Sequence, residues 1–504
     1  MSATSLQPPK SSQPPPPTST RAMPVLMSAC VVVVVAMVAA VNLALPKLSG
    51  SDLRPSSTAL LWIVDAYILV FGCLLIPAGA LGDRIGRKGV LTTGLGVFAT
   101  GCLVSAAAPS VAVLMAGRVV AGLGAALVMP ATLSLLLQVT PPARKPQAIA
   151  TWTGATGAAG ALGNLGGGLI LQWLPWQGLF LVIAPMSLLL AAAVARIAPR
   201  GERHPAALDL PGAALLTGSV FGVLFGIIEG PEHGWTSSLV LGSFAAAALL
   251  LAAFVGHSLR AAHPLLDPRV FAIAQLRTGT VGVAAVFFGL FALFFVNAQY
   301  LQYAKGYSPL VTGLAILPLP IGMIAVSRRS IGLAARVGTR AVVATGMTLV
   351  AAGLAALSFT TSDTPYLPYA LALLAISTGM GLSVPSLSTG IMTSLPPARA
   401  GMGSGLNSAA RELGAALGIA VVGTILSSRF AAALPAALGE HADSTSQALR
   451  AAERLGSTIH AQATDAFTDA MSAGYRVIAV VVLLAAAVTG SSGGATRRPR
   501  RTHG

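Results

Sequence analysis

The sequence predicts an all-α membrane protein whose chain crosses the bilayer fourteen times. The mean hydropathy is +0.79, and charged residues make up 9% of the chain, whereas soluble domains carry about 25%. Apolar runs of about 20 residues, which is long enough to span the hydrocarbon core, recur from Met23 to Gly490. These runs lack the alternating pattern of a β-barrel strand, so helices are the predicted spanning elements.

The predicted transmembrane segments follow one another closely, apart from one long gap near the C-terminus. Their ranges are 24–46, 58–81, 89–108, 111–138, 147–172, 178–198, 210–229, 236–258, 277–303, 309–327, 338–358, 366–394, 401–427 and 473–490. The first run is too long for a signal-peptide core and lacks a clear cleavage site, so we expect it to be retained. Residues 1–22 are rich in Pro, Ser and Thr and are expected to be disordered.

The basic residues predict the orientation in the membrane. Of the 31 Lys and Arg residues, 22 fall in the two tails and in the loops on the N-terminal side, and seven fall on the other side. Because basic loops stay in the cytoplasm, we expect both termini to be cytoplasmic and segment 428–472 to be external and partly helical. This distribution accounts for the net charge of +16 without nucleic acid as a partner. Arg outnumbers Lys, and Ala and Gly abound, which is typical of a high-GC bacterium. We expect the protein to lie in the cytoplasmic (inner) membrane of such a cell.

The motifs of several other site classes are missing. Cys30, Cys73 and Cys102 each lie inside an apolar run, so neither a disulfide framework nor a metal site is predicted. No His lies four residues from another, and no Lys follows a Gly as a phosphate-binding loop requires. We therefore expect no cofactor, no metal and no enzymatic activity, and transport would draw on an ion gradient.

The chain also repeats itself. The run from Gly86 to Gly94 resembles the run from Gly338 to Gly346, and Gly101 matches Gly353 at the same offset of 252 residues. Arg84 and Arg336 match at this offset too. A set of matches at one offset indicates duplicated halves, and in transporters built this way the substrate site lies between the halves.

One loop carries a family signature. Residues 79–88 read Gly-Ala-Leu-Gly-Asp-Arg-Ile-Gly-Arg-Lys, which resembles the G-x-x-x-D-R-x-G-R-K loop of the major facilitator superfamily. The resemblance implies two six-helix bundles, at 23–200 and 261–490, with two inserted helices at 201–260 and a basic cytoplasmic tail at 491–504. It also implies a conformational latch at the cytoplasmic rim formed by Gly79, Asp83, Arg84, Gly86, Arg87 and Lys88. The alternative is a basic loop that only fixes topology.

Further motifs resemble the fourteen-helix drug:proton antiporter branch of that family. Arg118 opens a Gly-rich run in the fourth segment, and the fifth segment resembles the antiporter motif of exporters through Gly157, Gly160, Gly163, Asn164 and Gly167. Asn164 stands where that motif usually has Pro, which puts the expected kink in question. Other matching pieces are 42–46, 62–67, 229–235, 306–309 and 411–418. The branch also commonly has an Asp in its first helix, where this chain has Met37.

Three charged residues are candidates for proton coupling, because a charge near the bilayer centre costs at least about 2.5–3.5 kcal/mol and needs a functional or pairing reason. Glu412 lies nearest the midplane, next to Arg411. Asp65 and Arg118 share a predicted depth and are candidates for an ion pair, which could be either titratable or purely structural.

The combined prediction is proton-coupled efflux of a small amphipathic or hydrophobic compound, such as a drug, a toxic compound or a self-made antibiotic, by alternating access. The expected partners are this substrate and the lipid bilayer, and we expect a monomer because no feature specifies an oligomer. Two alternatives stay open at this point. One is an importer or uniporter with the same fold, and the other is a membrane sensor or assembly protein that does not transport.

Overall fold

The computed structural model describes residues 17–55, 57–199, 209–441 and 445–491. Within these ranges the chain is helical and contains no β-strand, which confirms the predicted fold class. Of the two predicted tails, residues 1–16 and 492–504 lie outside the described residues, and the first helix already begins at Pro17.

The helices follow the apolar runs of the sequence. They are α1 (Pro17–Ser49), α2 (Ser57–Ile85), α3 (Arg87–Ala106), α4 (Val111–Val139), α5 (Lys145–Trp173), α6 (Gln177–Ile197), α7 (Leu210–His233), α8 (Ser238–Ser258), α9 (Ala274–Gln299), α10 (Pro309–Ala315), α11 (Pro318–Val337), α12 (Thr339–Leu357), α13 (Tyr366–Thr393), α14 (Ala400–Ala433), α15 (Thr445–Leu455) and α16 (Ser457–Ser491). A π-helical turn, Tyr300–Ala304, continues α9.

The internal repeat of the sequence is a repeat of backbone geometry. Gly86 and Gly338 are the N-caps of α3 and α12, with φ values of 110° and 94°, a region that residues with a Cβ rarely adopt. Gly101 of α3 packs against the backbone of α4 at Ala121, and its counterpart Gly353 packs against α13. Helices α1–α6 and α9–α16 therefore form two related bundles, with α7 and α8 between them in the chain.

Thirteen helical stretches in the described part of the chain are long and apolar enough to cross a membrane. The predicted fourteen include α5, which is not among the thirteen. This helix has 29 residues, but glycines and polar residues dilute its hydropathy. It packs along α1, so a helix shielded by its neighbour can span without the apolar surface that lipid demands.

The tenth predicted segment differs from the structure. A break at Ile316 and Leu317, followed by Pro318, divides it into α10 and α11, and α11 continues to Val337 rather than ending near residue 327. Arg328 and Arg329 therefore lie on a spanning helix and not in a loop. The apolar run stops at these arginines, which is why hydropathy ended the segment too early.

The last predicted segment, 473–490, is also too short. The segment predicted as the external loop 428–472 is mostly helical, because α14 continues to Ala433 and α16 begins at Ser457. The 35 residues of α16 extend over roughly 52 Å at ~1.5 Å per residue, well beyond a hydrocarbon core of about 30 Å. The N-terminal turns of α16 carry polar residues, so hydropathy detects only the remainder of the helix.

The orientation can be tested with single cysteines in a variant without Cys30, Cys73 and Cys102. Ala107 and Ala143 are both exposed and lie in consecutive turns at opposite ends of α4. We expect Ala107→Cys to react with an impermeant thiol reagent in intact cells and Ala143→Cys to react only after permeabilisation. Labelling of both positions in intact cells would contradict the predicted topology.

Candidate functional site at the interface of the two bundles

The two bundles meet along pairs of helices whose backbones approach closely. Gly79 of α2 lies against the backbone of Gly401 in α14, so a Cβ on either residue would overlap the other chain segment. Farther along the same pair, Gly405 lies against the backbone of Leu75. Small residues at these positions allow the tight helix contact that van der Waals packing requires within a membrane.

Asp83 joins the bundles at the end of this contact where α2 ends and α14 begins. One carboxylate oxygen accepts a hydrogen bond from the backbone N–H of Gly401 at 2.9 Å, and the other accepts one from Met402 at 3.0 Å. These amides lie in the first turn of α14, whose own N-cap residue, Arg399, provides no side-chain hydrogen bond. Asp83 therefore caps a helix of the opposite bundle, and its charge faces the positive end of that helix.

Arg87 completes this contact. Its guanidinium donates to Asp83 Oδ1 at 2.8 and 3.0 Å and to the backbone oxygen of Pro397, just before α14, at 3.0 Å. Both side chains are buried, at 10% exposure each. Since the pair is shielded from water and holds three hydrogen bonds across the interface, it is stronger than a surface ion pair of the same residues.

The other residues of the signature loop act within the N-terminal bundle. Lys88 donates to the backbone oxygen of Ala198 at 2.6 Å, at the end of α6. Gly86 supplies the positive-φ turn between α2 and α3. Arg84 has one buried guanidinium nitrogen without a hydrogen-bond partner in the described part of the chain. Of the predicted latch residues, the structure thus brings Gly79, Asp83 and Arg87 into direct contact with the opposite bundle.

The predicted antiporter motif lies along two faces of α5. Gly163 lies against the backbone of Ala36 in α1, and Gly167 lies against Ala40 one turn away. Gly157 faces Met323 of α11, in the opposite bundle, whereas no neighbouring atom lies within 4 Å of a Cβ built on Gly160. Asn164 is half-buried, and α5 runs through it without a break. The motif therefore joins α1 to α5 and also contributes to the interface between the bundles.

Gly163 offers a direct test of this packing. A methyl group there overlaps the backbone of Ala36, which cannot rotate away, so we expect Gly163→Ala to destabilise the protein by about 1–3 kcal/mol. Gly166 is the matched control, because a Cβ there meets no atom within 4 Å. Gly166→Ala is expected to be neutral or slightly stabilising, since Ala favours helix. Thermal unfolding in detergent checks both, and equal melting temperatures would contradict the close α1–α5 contact.

The predicted ion pair between Asp65 and Arg118 is not formed, because the described residues contain no such pair within 4.0 Å. Arg118 is fully buried and instead donates to the backbone oxygen of Ile63 at 2.8 Å, with its guanidinium 4.5 Å from the centre of the Tyr67 ring. Asp65 is half-buried on α2. The arginine therefore ties α4 to α2 through the backbone, and Asp65 remains free of a fixed partner.

Glu412 and Arg411 point towards different helices, as successive residues on a helix do. The Cβ of Glu412 lies 3.9 Å from the position that a Cβ on Gly72 of α2 would take. Glu412 is half-buried, and its carboxylate has no hydrogen bond or ion pair with any described residue. It is thus a membrane-embedded carboxylate at the bundle interface without a fixed counter-ion.

The inserted helix α7 lies across this part of the interface. Leu224 of α7 packs with Leu69 and Cys73 of α2, next to Leu413 of α14. At the C-terminal end of α7, the buried Glu229 pairs with His233 at 2.7 Å. Helix α7 therefore covers the α2–α14 contact close to Glu412.

Side chains beyond the ends of α7 hold it in place. After its C-terminal end, Trp235 donates to the hydroxyl of Thr424 in α14 at 2.9 Å. Before its N-terminal end, Asp209 accepts hydrogen bonds from the backbone of Gly212 and Leu265 and pairs with His257 of α8 at 2.7 Å. Burial raises the pKa of Asp209, but these hydrogen bonds together bring its pKa below the ordinary value.

Several interface residues had no signal in the sequence. Gly401 and Met402 donate hydrogen bonds to Asp83 through their backbone amides. Because every residue except proline has such an amide, no side-chain motif predicts this contact. Trp152 and Phe287, which flank Arg411, look like ordinary apolar residues of spanning helices. Glu229, at the end of α7, is buried and thus lies against neighbouring helices. No group of three or more His, Cys, Asp or Glu side chains that could hold a metal ion occurs in the described ranges.

Comparisons with known proteins agree with this architecture. Residues 27–419 match the sequence profile of the Major Facilitator Superfamily. The chain is 31% identical to the tetracenomycin C resistance and export protein of Streptomyces glaucescens, over 79% of this chain and 74% of that protein. It is 30% identical to the methylenomycin A resistance protein of Streptomyces coelicolor, over 78% of this chain and 84% of that protein. Among solved structures, a bacterial homologue of the human lysosomal transporter Spinster, at 17% identity, superposes with a TM-score of 0.59 over 94% of this chain and 96% of that one, which shows the fold.

Proposed function

Since this chain belongs to the major facilitator superfamily, whose members are multi-pass membrane transporters and not enzymes, we propose that it exports a small amphipathic or hydrophobic compound. The compound would be a drug, a toxic compound or a self-made antibiotic. Export would cross the cytoplasmic membrane of a bacterium, with both termini of the chain inside. The relatives named above, which are resistance and export proteins, support the direction of transport.

The observation that carries the proposal is the contact of Asp83 with the first turn of α14. It closes the cytoplasmic rim between the bundles through hydrogen bonds that involve both of them. A carrier that works by alternating access needs a contact at one rim that can break while a contact at the other rim forms. In the proposed cycle, this latch holds the state that opens outward, and its release admits substrate from the cytoplasm.

Proton coupling rests on Glu412, with Asp65 and Arg118 as further candidates. Glu412 is embedded in the membrane without a fixed counter-ion, and a lone charge in such a place is costly. Protonation removes that cost, so a change in the surroundings of Glu412 between the two states can bind and release a proton. The proton gradient then takes the place of a cofactor, and a single chain is sufficient for the cycle.

A susceptibility screen tests the direction of transport and finds the substrate. The chain is expressed in a bacterial host that lacks its own efflux pumps, beside the Asp83→Asn variant, and exposed to a panel of antibiotics and dyes. We expect raised resistance to a subset of these compounds with the wild type only. Purified protein in liposomes should then move protons when that compound is added against a pH gradient. Increased sensitivity would favour import, and an absence of any proton or substrate flux would favour a non-transporting protein.

A further inference from the structure

Arg411 is buried at the centre of the bundle interface with an incomplete set of partners. Its side chain is 4% exposed, and its Nε and Nη1 atoms have no hydrogen-bond partner among the described residues. It lies about 16 Å from the cytoplasmic end of α14, given ~1.5 Å per residue. Buried guanidinium groups are normally paired, because an unpaired charged donor carries a large desolvation cost.

The surroundings of Arg411 contain aromatic rings from both bundles. The guanidinium carbon lies 4.3 Å from the centre of the Phe287 ring in α9 and 5.4 Å from that of Trp152 in α5. The indole of Trp152 is held by a hydrogen bond to the Thr132 hydroxyl at 3.1 Å. Two ring contacts stabilise a desolvated cation through the negative faces of the rings, but they leave its N–H donors unused.

No acidic side chain in the described part of the chain lies within 4.0 Å of the Arg411 guanidinium. Helix α9, which packs along α14, contains no Asp or Glu. Glu412, which follows Arg411, is directed towards α2, and its charge acts on Arg411 only from beyond ion-pair distance. The protein therefore surrounds a midplane cation with flat apolar rings and leaves the anionic or carbonyl partner to come from outside.

A second arginine lines a cavity that α5 shares with α1 and α11. This cavity has a volume of about 170 Å³, and Ser28, Thr151 and Arg328 line it. Arg328 is exposed on a spanning helix, and charges in such positions mark water-filled routes. Thr151 in the cavity wall and Trp152 beside Arg411 lie on different faces of the same turn of α5.

We propose that Arg411, together with Trp152 and Phe287, forms a subsite for a planar aromatic substrate that carries a carboxylate or another anionic oxygen. This inference rests on the proposed export function and names its substrate class. The rings stack on the flat part of the substrate, while the free guanidinium donors bind the oxygen in a charge-assisted pair. A planar cation of the same size would instead be repelled by Arg411.

Two xanthene dyes test this subsite, because fluorescein is anionic and rhodamine 123 is cationic on the same planar scaffold. Their binding to purified protein in lipid nanodiscs is measured by fluorescence anisotropy without any gradient. We expect the wild type to bind fluorescein at least about tenfold more tightly than rhodamine 123. Arg411→Gln should lose about tenfold or more in fluorescein affinity while rhodamine 123 affinity is unchanged or rises, and Arg411→Lys should fall between.

The matched control is Arg476→Gln, because Arg476 also stacks on a ring, Phe359 at 5.8 Å, but on α16 and away from the bundle interface. It should bind both dyes as the wild type does. A wild type without preference for fluorescein, or an Arg411→Gln variant that loses both dyes or neither, would overturn the inference. If the protein exports substrate under a gradient but binds both dyes equally, this subsite is wrong and the proposed function stands. If it prefers fluorescein but exports nothing, the subsite is supported and the proposed function is wrong.

Discussion

Glu412→Gln is expected to abolish gradient-driven export while leaving substrate binding and downhill exchange intact. Glutamine keeps the size and the polarity of the side chain but cannot take up and release a proton. Because Glu412 lies near the midplane without a fixed partner among the described residues, its substitution breaks no ion pair and should leave the fold in place. The measurement is substrate accumulation in proteoliposomes under a pH gradient, beside exchange without a gradient.

The controls for this experiment distinguish a loss of proton coupling from the mere loss of one negative charge. Glu453→Gln removes a carboxylate from an exposed position on α15, outside the spanning helices, and should transport as the wild type does. Asp65→Asn should be impaired less completely, since Asp65 lies nearer to the outer end of its helix. If Glu412→Gln accumulates substrate fully, Asp65 becomes the leading carrier. Full accumulation in the double variant as well would exclude proton coupling through these carboxylates.

Asp83→Asn is expected to reduce transport by about tenfold or more at near-normal membrane levels. The substitution removes the charge that faces the first turn of α14 and leaves one acceptor oxygen for two backbone amides. Hydrogen bonds to charged groups contribute about 1.5–3 kcal/mol each, and about 1.4 kcal/mol shifts an equilibrium tenfold. The closed cytoplasmic rim should therefore become a minor state, and the cycle would stall for lack of it.

The same variant allows a direct measurement of conformation. Thr151 lines the cytoplasmic cavity, so a cysteine at this position should react faster with a thiol reagent when Asp83→Asn opens the rim. Asp267 provides the matched control, because it caps a short turn within one bundle by accepting from Arg269 N–H at 2.9 Å. Asp267→Asn should change neither transport nor labelling. Wild-type transport and labelling in Asp83→Asn would show that the loop only fixes topology.

The helices could be predicted from the sequence because helices that face lipid need long apolar runs. The predicted ends were correct where the apolar run and the helix end together, and they were wrong where the helix extends beyond the apolar run. At Arg328 the helix continues beyond the apolar run, and α16 begins in polar sequence. The glycines of α5 lower its hydropathy, and packing explains three of them: Gly163 and Gly167 lie against α1, and Gly157 lies against α11.

The site was predictable in its residues but not in its contacts. The signature loop identified Asp83 and Arg87, yet Asp83 binds backbone amides 318 and 319 residues away, and Arg87 binds a backbone oxygen 310 residues away. Arg118 has the opposite charge to Asp65 at a similar depth, but the arginine is already satisfied in part by Ile63 and Tyr67. Depth and charge alone therefore suggested a pair that packing does not form, because orientation around the helix decides which side chains meet.

The cap that Asp83 places on α14 has a consequence for inheritance. Position 401 is as constrained as the carboxylate, since a Cβ there would overlap Gly79 and Asp83. Position 402 needs only a backbone N–H, which every residue except proline supplies. Changes at Asp83 or Gly401 therefore disturb the latch, whereas most changes at Met402 leave its hydrogen bond in place. The internal repeat has Ala335 at the position equivalent to Asp83, so it carries no second carboxylate of this kind there.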